Sequence, residues 1–190
     1  MVETQVQADQ DSLEEAISRI NHALSDFDYE IRKTFDQSTG NPVWAIVNTT
    51  SDSLTQLATI HTPSEIAYFR TLLTAIFDTS NSIHEEVFAV KSTDASNLSS
   101  AQGVGMTKTA AEAAMHNFIR EGWLKKSRNG FITITERGLL ELKEYLMEMF
   151  NDMDEEGGGR VDKLRTCHAC QEIITKVSLS PRNMTVLLSV

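Results

Sequence analysis

Twice along this chain a helical hydrophobic pattern gives way to a short β-hairpin and then resumes. That order limits the fold more than any other feature, because a two-stranded hairpin cannot bury its apolar face alone. In the first instance "DSLEEAISRINHALSDF" places Leu13, Ile17, Ile20, Leu24 and Phe27 at three- and four-residue steps, one face of a helix. Ser12 and Glu15 have the form of a capping box and set the expected helix start. "YEIRKTF" and "PVWAIVNT" follow as β-prone runs joined by "DQSTGN", so Asp36 to Asn41 reads as a hairpin loop with Gly40 free to take positive φ. Pro42 belongs at the first residue of its strand or on an edge. In "TPSEIAYFRTLLTAIFDT" the helical period returns. Thr62 caps, Pro63 suits the first turn, Glu65 completes a capping box, and Ile66, Phe69, Leu73, Ile76 and Phe77 form the buried stripe.

The second instance follows a small, polar stretch. "EEVFAVK" fits either a short strand or a helical turn, and "STDASNLSSAQGVG" reads as a short helix around Asp94 to Ala101 and a Gly-flanked turn. Then come a helix from Thr107 to Glu121, strand "WLKK", turn "SRNG", strand "FITI" and helix "ERGLLELKEYLMEMF". Gly130 offers the left-handed residue of the tight turn, Thr135 caps the last helix, and Leu139, Leu142, Leu146 and Met149 form its apolar face. Helix, two-stranded wing, returning helix is the winged-helix order. The expected fold class is therefore α+β, mainly α, with a first winged-helix domain at 1–80 and a second at 81–150. A single α+β domain carrying two hairpins has the same order, and no self-similarity between the halves decides between the two.

Residues 151–165, with "NDMDEEGGGRVDKL", read as an acidic, glycine-rich linker, and residues 166–190 as a small separate module. That module opens with "CHAC". Cys167 and Cys170 are the only two cysteines, at the spacing of the first ligand pair of a zinc site. A structural zinc takes four ligands in a tetrahedron. His168 stands between the two thiols and cannot easily turn into the same tetrahedron, and "SLSPRNMTVLLSV" supplies neither Cys nor His. On these residues the other half of the site is missing.

Charge narrows the partners. The chain has 190 residues and a formal net charge of −10. Residues 1–100 carry 15 acids and 5 bases, and residues 101–190 carry 12 of each, so the whole excess lies in the first half. Such a distribution repels a polyanion and lacks the footprint of a dedicated nucleic-acid binder. Lys125, Lys126 and Arg128 on the second wing are the candidate phosphate contacts, with Lys108 and Arg120 on the helix before it. Glu112 and Glu121 share that helix, and "AAEAAMH" offers few base-reading side chains, so weak, sequence-independent contact is expected at most. The longest apolar run is a few residues, which excludes a transmembrane helix, and "MVETQVQADQDSLEEA" lacks the regions of a signal peptide. Two cysteines without an export signal point to a reducing compartment, cytosol or nucleus. His22, His61, His84 and His116 are scattered, no nucleophile–base pairing presents itself, and Trp44 and Trp123 read as core anchors. No catalytic residue is expected.

Two stretches carry a resemblance. "INHALSDFDYEIRKTFDQSTGNPVWAIVNTTSDSLTQLAT" followed by "SEIAYFRTLL", and "NFIREGWLKKSRNGFITITERGLLELKEYL" followed by "CHAC", closely resemble the non-structural maintenance of chromosomes element 1 family. The elements I-N-x-x-L, E-I-R-K, T-G-x-P and V-N-T occur in that order, and the likeness covers about residues 10–177. The resemblance implies a subunit of the structural maintenance of chromosomes 5/6 complex, acting in the nucleus in DNA repair and recombination. It further implies pairing with a MAGE-type subunit and a kleisin, and a variant RING holding zinc and serving ubiquitin ligation with a conjugating enzyme. Cys167 and Cys170 match the first ligand pair of that RING. Two departures stand against the pattern: the chain starts almost on "LEEAISRINHAL", and it leaves the family's sequence at Ser178, as a truncated or frame-shifted end would. Full zinc occupancy and autonomous ligase activity are therefore not expected of these residues. The reading of a different class is a free-standing winged-helix DNA-binding regulator.

Overall fold

The structure is a computed structural model that describes residues 2–37, 39–49, 57, 59–78, 88–153, 160–162, 164–168 and 170–175. It is a mixed helix and strand fold, mainly helical, as the α+β reading expects. Helix α1 spans Val2–Leu24 and ends in a 3₁₀ turn, Ser25–Phe27. The start expected at Ser12 is overrun. Nothing in "VETQVQADQD" breaks a helix, and a capping box without a preceding Gly or Pro does not stop a helix-forming run upstream.

Strands β1, Tyr29–Phe35, and β2, Pro42–Asn48, form the first hairpin in antiparallel register from Tyr29 opposite Asn48 to Phe35 opposite Pro42. Gly40 takes φ of 72° in the loop, as that turn requires. The Asn21 side chain joins α1 to β1: its Nδ2 donates to the Ile31 carbonyl at 3.0 Å, and the Ile31 N–H donates to its Oδ1 at 2.7 Å. Helix α2, Pro63–Asp78, begins with the expected capping box. The Glu65 N–H donates to Thr62 Oγ1, and the Thr62 N–H donates to Glu65 Oε2 at 2.8 Å.

Strand β3, Val90–Lys91, resolves the ambiguity of "EEVFAVK" at its end, and helix α3, Ser92–Asn97, runs into a 3₁₀ turn at Leu98–Ser100. Helix α4, Lys108–Arg120, is capped by Thr107. Strands β4, Leu124–Lys126, and β5, Phe131–Ile134, make the second hairpin, and β3 joins it to give the order β3-β5-β4. The long helix expected after Thr135 is two, α5, Glu136–Glu141, and α6, Lys143–Phe150. The run bends at Leu142, where ψ is 7°, while the N–H of Leu142 and of Leu146 still reach back four residues.

One core gathers α2, α4, α6 and the three-stranded sheet. Phe69 meets Phe118 at 4.5 Å between ring centroids and Trp123 at 6.4 Å, while Leu142 and Leu146 are fully buried. The first hairpin has a small contact of its own, Ala45 and Val47 against Leu140. Beyond α6 the structure departs from the linker expected at 151–165. Strand β6, Asn151–Met153, pairs antiparallel with β7, Arg160–Asp162, and Leu164 and Ile173 are 1% exposed within the main core. Asn151 holds Leu164 from both sides, donating to its carbonyl at 2.9 Å and accepting from its N–H at 2.8 Å. The acidic and glycine content sits at 154–159, outside the described residues, whereas the flanks carry Val161 and Leu164. The expected boundary between 80 and 81 also lies outside the described residues. Among the described residues no helix is long and apolar enough to cross a membrane.

Candidate functional site

The hairpin β1–β2 has two unlike faces. Glu30 opposite Val47, Arg32 opposite Ala45 and Thr34 opposite Val43 lie on one, where Thr34, Ala45 and Val47 are buried toward Leu140. The other carries Ile31 opposite Ile46, Lys33 opposite Trp44 and Phe35 beside Pro42, with Ile46 54% and Phe35 47% exposed. Lys33 lies 5.2 Å from the centroid of the Trp44 ring and pairs with Glu14 of α1 at 3.3 Å. Trp44 is thus half-buried rather than a core anchor, while Trp123 is buried as expected. Alongside, α1 leaves Leu13 and Ile20 nearly half exposed, and Phe27 is 71% exposed. The stripe expected to be this helix's core face is therefore largely uncovered. A two-stranded hairpin is too narrow to cover a long helix, and β1 takes up only the Asn21 side of α1.

The candidate phosphate contacts do not act together. Lys125 turns to α5 and bonds Glu136 at 2.5 Å. Lys126, on the alternate side of the strand, is exposed and lines a shallow cleft of about 200 Å³ with Ser92, Thr93, Lys108, Glu112 and His116. Arg128 is exposed in the turn. Arg120, also considered for this role, donates to Asn117 at 3.1 Å. The sequence sets Lys108 beside the wing and Glu112 on the same helix but does not add His116, although the four-residue spacing of the three places them on one helix face. The cleft holds an acid, Glu112, among its bases.

His61 is 7% exposed and tied to the fold. Its Nε2 is 2.8 Å from Glu121 Oε2 and its ring lies 4.5 Å from that of Phe118. It joins the start of α2 to the end of α4 as a satisfied core histidine. The hydrogen bond from the Thr62 N–H, stronger than the opposing effect of burial, holds the Glu65 carboxyl below its ordinary value. His84 lies outside the described residues.

The cysteines sit on a tight hairpin of their own. Thr166 bridges Ile173, the Cys167 N–H donates to the Glu172 carbonyl at 2.8 Å, and the Ile174 N–H donates to the Arg165 carbonyl at 2.8 Å. Gln171 takes φ of 60° and its N–H donates to the Cys167 carbonyl at 2.7 Å. Neither cysteine is in a disulfide; Cys167 is half-buried and Cys170 exposed. Burial pushes the Cys170 thiol up, against the pull of a hydrogen bond from the Glu172 backbone, and its hydrogen bond with the Cys167 sulfur adds to the rise. Among the described residues no third Cys, His, Asp or Glu gathers with another two to hold a metal ion. These residues supply two zinc ligands and do not fit a complete tetrahedral site.

The base of this hairpin is fastened to the first one. Gln37 Nε2 donates to the Ile173 carbonyl at 2.9 Å, the Thr175 N–H donates to Gln37 Oε1 at 2.8 Å, and Lys143 pairs with Glu172 at 3.8 Å. No sequence signal marks Gln37 for this role.

A family model described as "Nse1 non-SMC component of SMC5-6 complex" matches residues 2–142. The human protein named non-structural maintenance of chromosomes element 1 homolog is 27% identical over 164 residues, which is 86% of this chain and 56% of that protein. The Schizosaccharomyces pombe protein named non-structural maintenance of chromosomes element 1 is 27% identical over 163 residues, 86% of this chain and 63% of its own. The chain thus spans less than two thirds of the length of these relatives. A chain in a solved structure titled "Nse1-Nse3-Nse4 complex" shares the fold at a TM-score of 0.62, with 22% identity over 87% of this chain and 70% of that one.

Proposed function

Because the chain belongs to the Nse1 family of non-SMC components of the SMC5-6 complex, we propose that it serves as a non-catalytic subunit that joins a MAGE-type subunit to a kleisin in the nucleus, in DNA repair. One observation carries this reading: β2 is apolar on both faces, and this chain buries only one of them. A strand patterned for two covered faces expects a second cover. The exposed Phe35 and Ile46, continued by Leu13, Ile20 and Phe27 on the neighbouring helix, form a surface suited to a protein partner rather than to water. In this reading residues 1–80 and 81–150 are two winged-helix units, with α2 of the first sunk into the core of the second. The family's RING would present a charged conjugating enzyme, with the chemistry in that partner. Two ligands do not build a RING, so no ligation step is assigned to these 190 residues.

Co-expression of the full chain with a MAGE-type subunit tests the proposal. The pair should co-purify, and Phe35→Ser with Ile46→Glu should abolish co-purification while leaving the circular dichroism melt of the chain unchanged. Co-purification undiminished by that double variant would place the interface elsewhere and remove the observation on which the reading stands.

Phosphate contact is a secondary property in this view. Lys126 and Arg128 are the exposed bases of the wing, Lys108 adds a third beside them, and Lys125 is engaged by Glu136. A free-standing sequence reader would need base-reading side chains on α4, where alanines stand.

A further inference from the structure

The two strands of the first hairpin treat their outer edges differently. Past the ends of the ladder, the Asp36 N–H donates to the Asn41 carbonyl at 2.9 Å and the Thr49 N–H to the Asp28 carbonyl at 2.8 Å. Antiparallel bonds alternate, so with the register from Tyr29 opposite Asn48 these two contacts fix the phase of the ladder. Val43, Ala45 and Val47 turn their backbone groups to β1, whereas Trp44 and Ile46 turn theirs away. On β1 the same phase turns Ile31 outward, and there the Asn21 side chain takes both its N–H and its carbonyl. No such cover meets β2: among the described residues the backbones of Trp44 and Ile46 have no hydrogen-bond partner. β1 also carries Glu30, Arg32 and Lys33, charges that deter an added strand, while Val43 to Val47 carry none. The edge of β2 is open.

The described chain ends against this hairpin. Thr175, the last described residue, donates its N–H to Gln37 of the β1–β2 loop, the end from which β2 starts. Residues 176–190 follow, outside the described residues. Their last seven, "MTVLLSV", hold no ionisable side chain, Pro or Gly. They alternate as a strand does, Met184, Val186, Leu188 and Val190 against Thr185, Leu187 and Ser189. We infer that residues 184–190 add to the edge of β2 as a third strand, bonding the N–H and carbonyl of Trp44 and of Ile46. The connecting residues 176–183 span at most about 27 Å and β2 is about 23 Å long, so the whole edge lies within reach of Thr175. Pro181 falls in that connection, where no ladder needs its N–H. In strand addition main-chain bonds supply the affinity, and the tether at Thr175 keeps the segment at high effective concentration. The all-apolar face suits the side of Ala45, Val47 and Leu140, which leaves Leu187 on the side of Ile46. This edge is a different surface from the outer face assigned to a partner, so the inference is independent of the proposed subunit role.

The test is amide hydrogen exchange followed by NMR on the full 190-residue chain. The Trp44 and Ile46 amides should exchange at least about tenfold more slowly than in Leu187→Pro with Leu188→Pro, which sets one proline in each phase of the added ladder. The Ala45 and Val47 amides, bonded to β1, should keep their protection in both chains, which separates loss of an added strand from loss of the hairpin. In the wild-type chain, backbone NOEs should link residues 184–190 to β2, and dilution should leave the protection unchanged. Equal exchange of Trp44 and Ile46 in the two chains overturns the inference. Protection that falls on dilution gives the edge to a second copy, and protection that appears only with an added MAGE-type subunit gives it to a partner; either result overturns it as well. Should the double variant not fold, the NOEs of the wild-type chain still decide.

Discussion

At position 138 an added Cβ would stand 2.7 Å from Ile134 Cγ1 and 2.9 Å from the Trp123 carbonyl oxygen. The first neighbour can rotate; the second is backbone and cannot. Alanine is the better helix former by about 1 kcal/mol, but an overpacked contact costs about 1–3 kcal/mol. Gly138→Ala should therefore lower stability by about 1–2 kcal/mol in urea denaturation, against the propensity scale. Glu141 has a different liability. Burial pushes its carboxyl up, only partly offset by Arg137 at 3.6 Å. With the folded value above the unfolded one, the folded state binds the proton more tightly. Stability therefore falls as pH rises from the unfolded value of 4.5 through the folded one, and the loss is complete above it. Glu141→Gln should melt higher than wild type at pH 7, and the difference should close as the pH is lowered toward 4. At this scale, capping residues were legible: Thr62 and Thr135 cap as read, because a cap needs only neighbours in sequence. Tyr68 was not. Its hydroxyl is pushed up to about 12, burial being the main cause, and it donates to the Ala95 carbonyl at 3.1 Å across 27 residues.

Among the elements, both hairpins stand where the turn residues put them, since Gly40 and Gly130 act locally. The errors arose wherever a helix's surroundings decided the outcome. Periodicity in α1 revealed an apolar stripe but could not say whether this chain or another would cover it. The bend at Leu142, where the N–H of Leu142 and of Leu146 still reach back four residues, leaves no sequence mark. The strands β6 and β7 were lost in a composition dominated by the residues between them. The wing repays closer testing. With Lys125 bonded to Glu136, duplex binding should lean on Lys126 and Arg128. Removing both charges should abolish most of the binding, whereas Lys125→Ala should leave the log–log salt slope, roughly −2 for two phosphates, unchanged. A shallower slope in Lys125→Ala, read by fluorescence anisotropy at several salt concentrations, would return that lysine to the contact set.

Across the whole molecule the core does not stop at α6. Leu164 and Ile173 are 1% exposed within it, and burying a side chain of that size contributes about 1.5–3 kcal/mol. A chain cut after Phe150 should therefore lose about 3 kcal/mol or more, seen as a lower melting temperature and a smaller denaturant slope. An unchanged melt would mean that the C-terminal segment rests on the core without supporting it. Spacing alone marked Cys167 and Cys170 as a pair. What the sequence hid was the fastening of their hairpin, because one glutamine 136 residues away carries no pattern.

That fastening bears on how the protein is made. A chain synthesised from its N-terminus presents the β1–β2 loop early, with the Gln37 amide held out to water. Its counterpart, the backbone of Ile173 to Thr175, is added only after the main core has been specified. Contacts so distant in sequence form late and slowly. Until residues 173–175 leave the ribosome, the first hairpin remains an unfinished edge and an exposed apolar face together. A nascent chain in that state is a natural client for a chaperone, or for its partner subunit if that is already waiting.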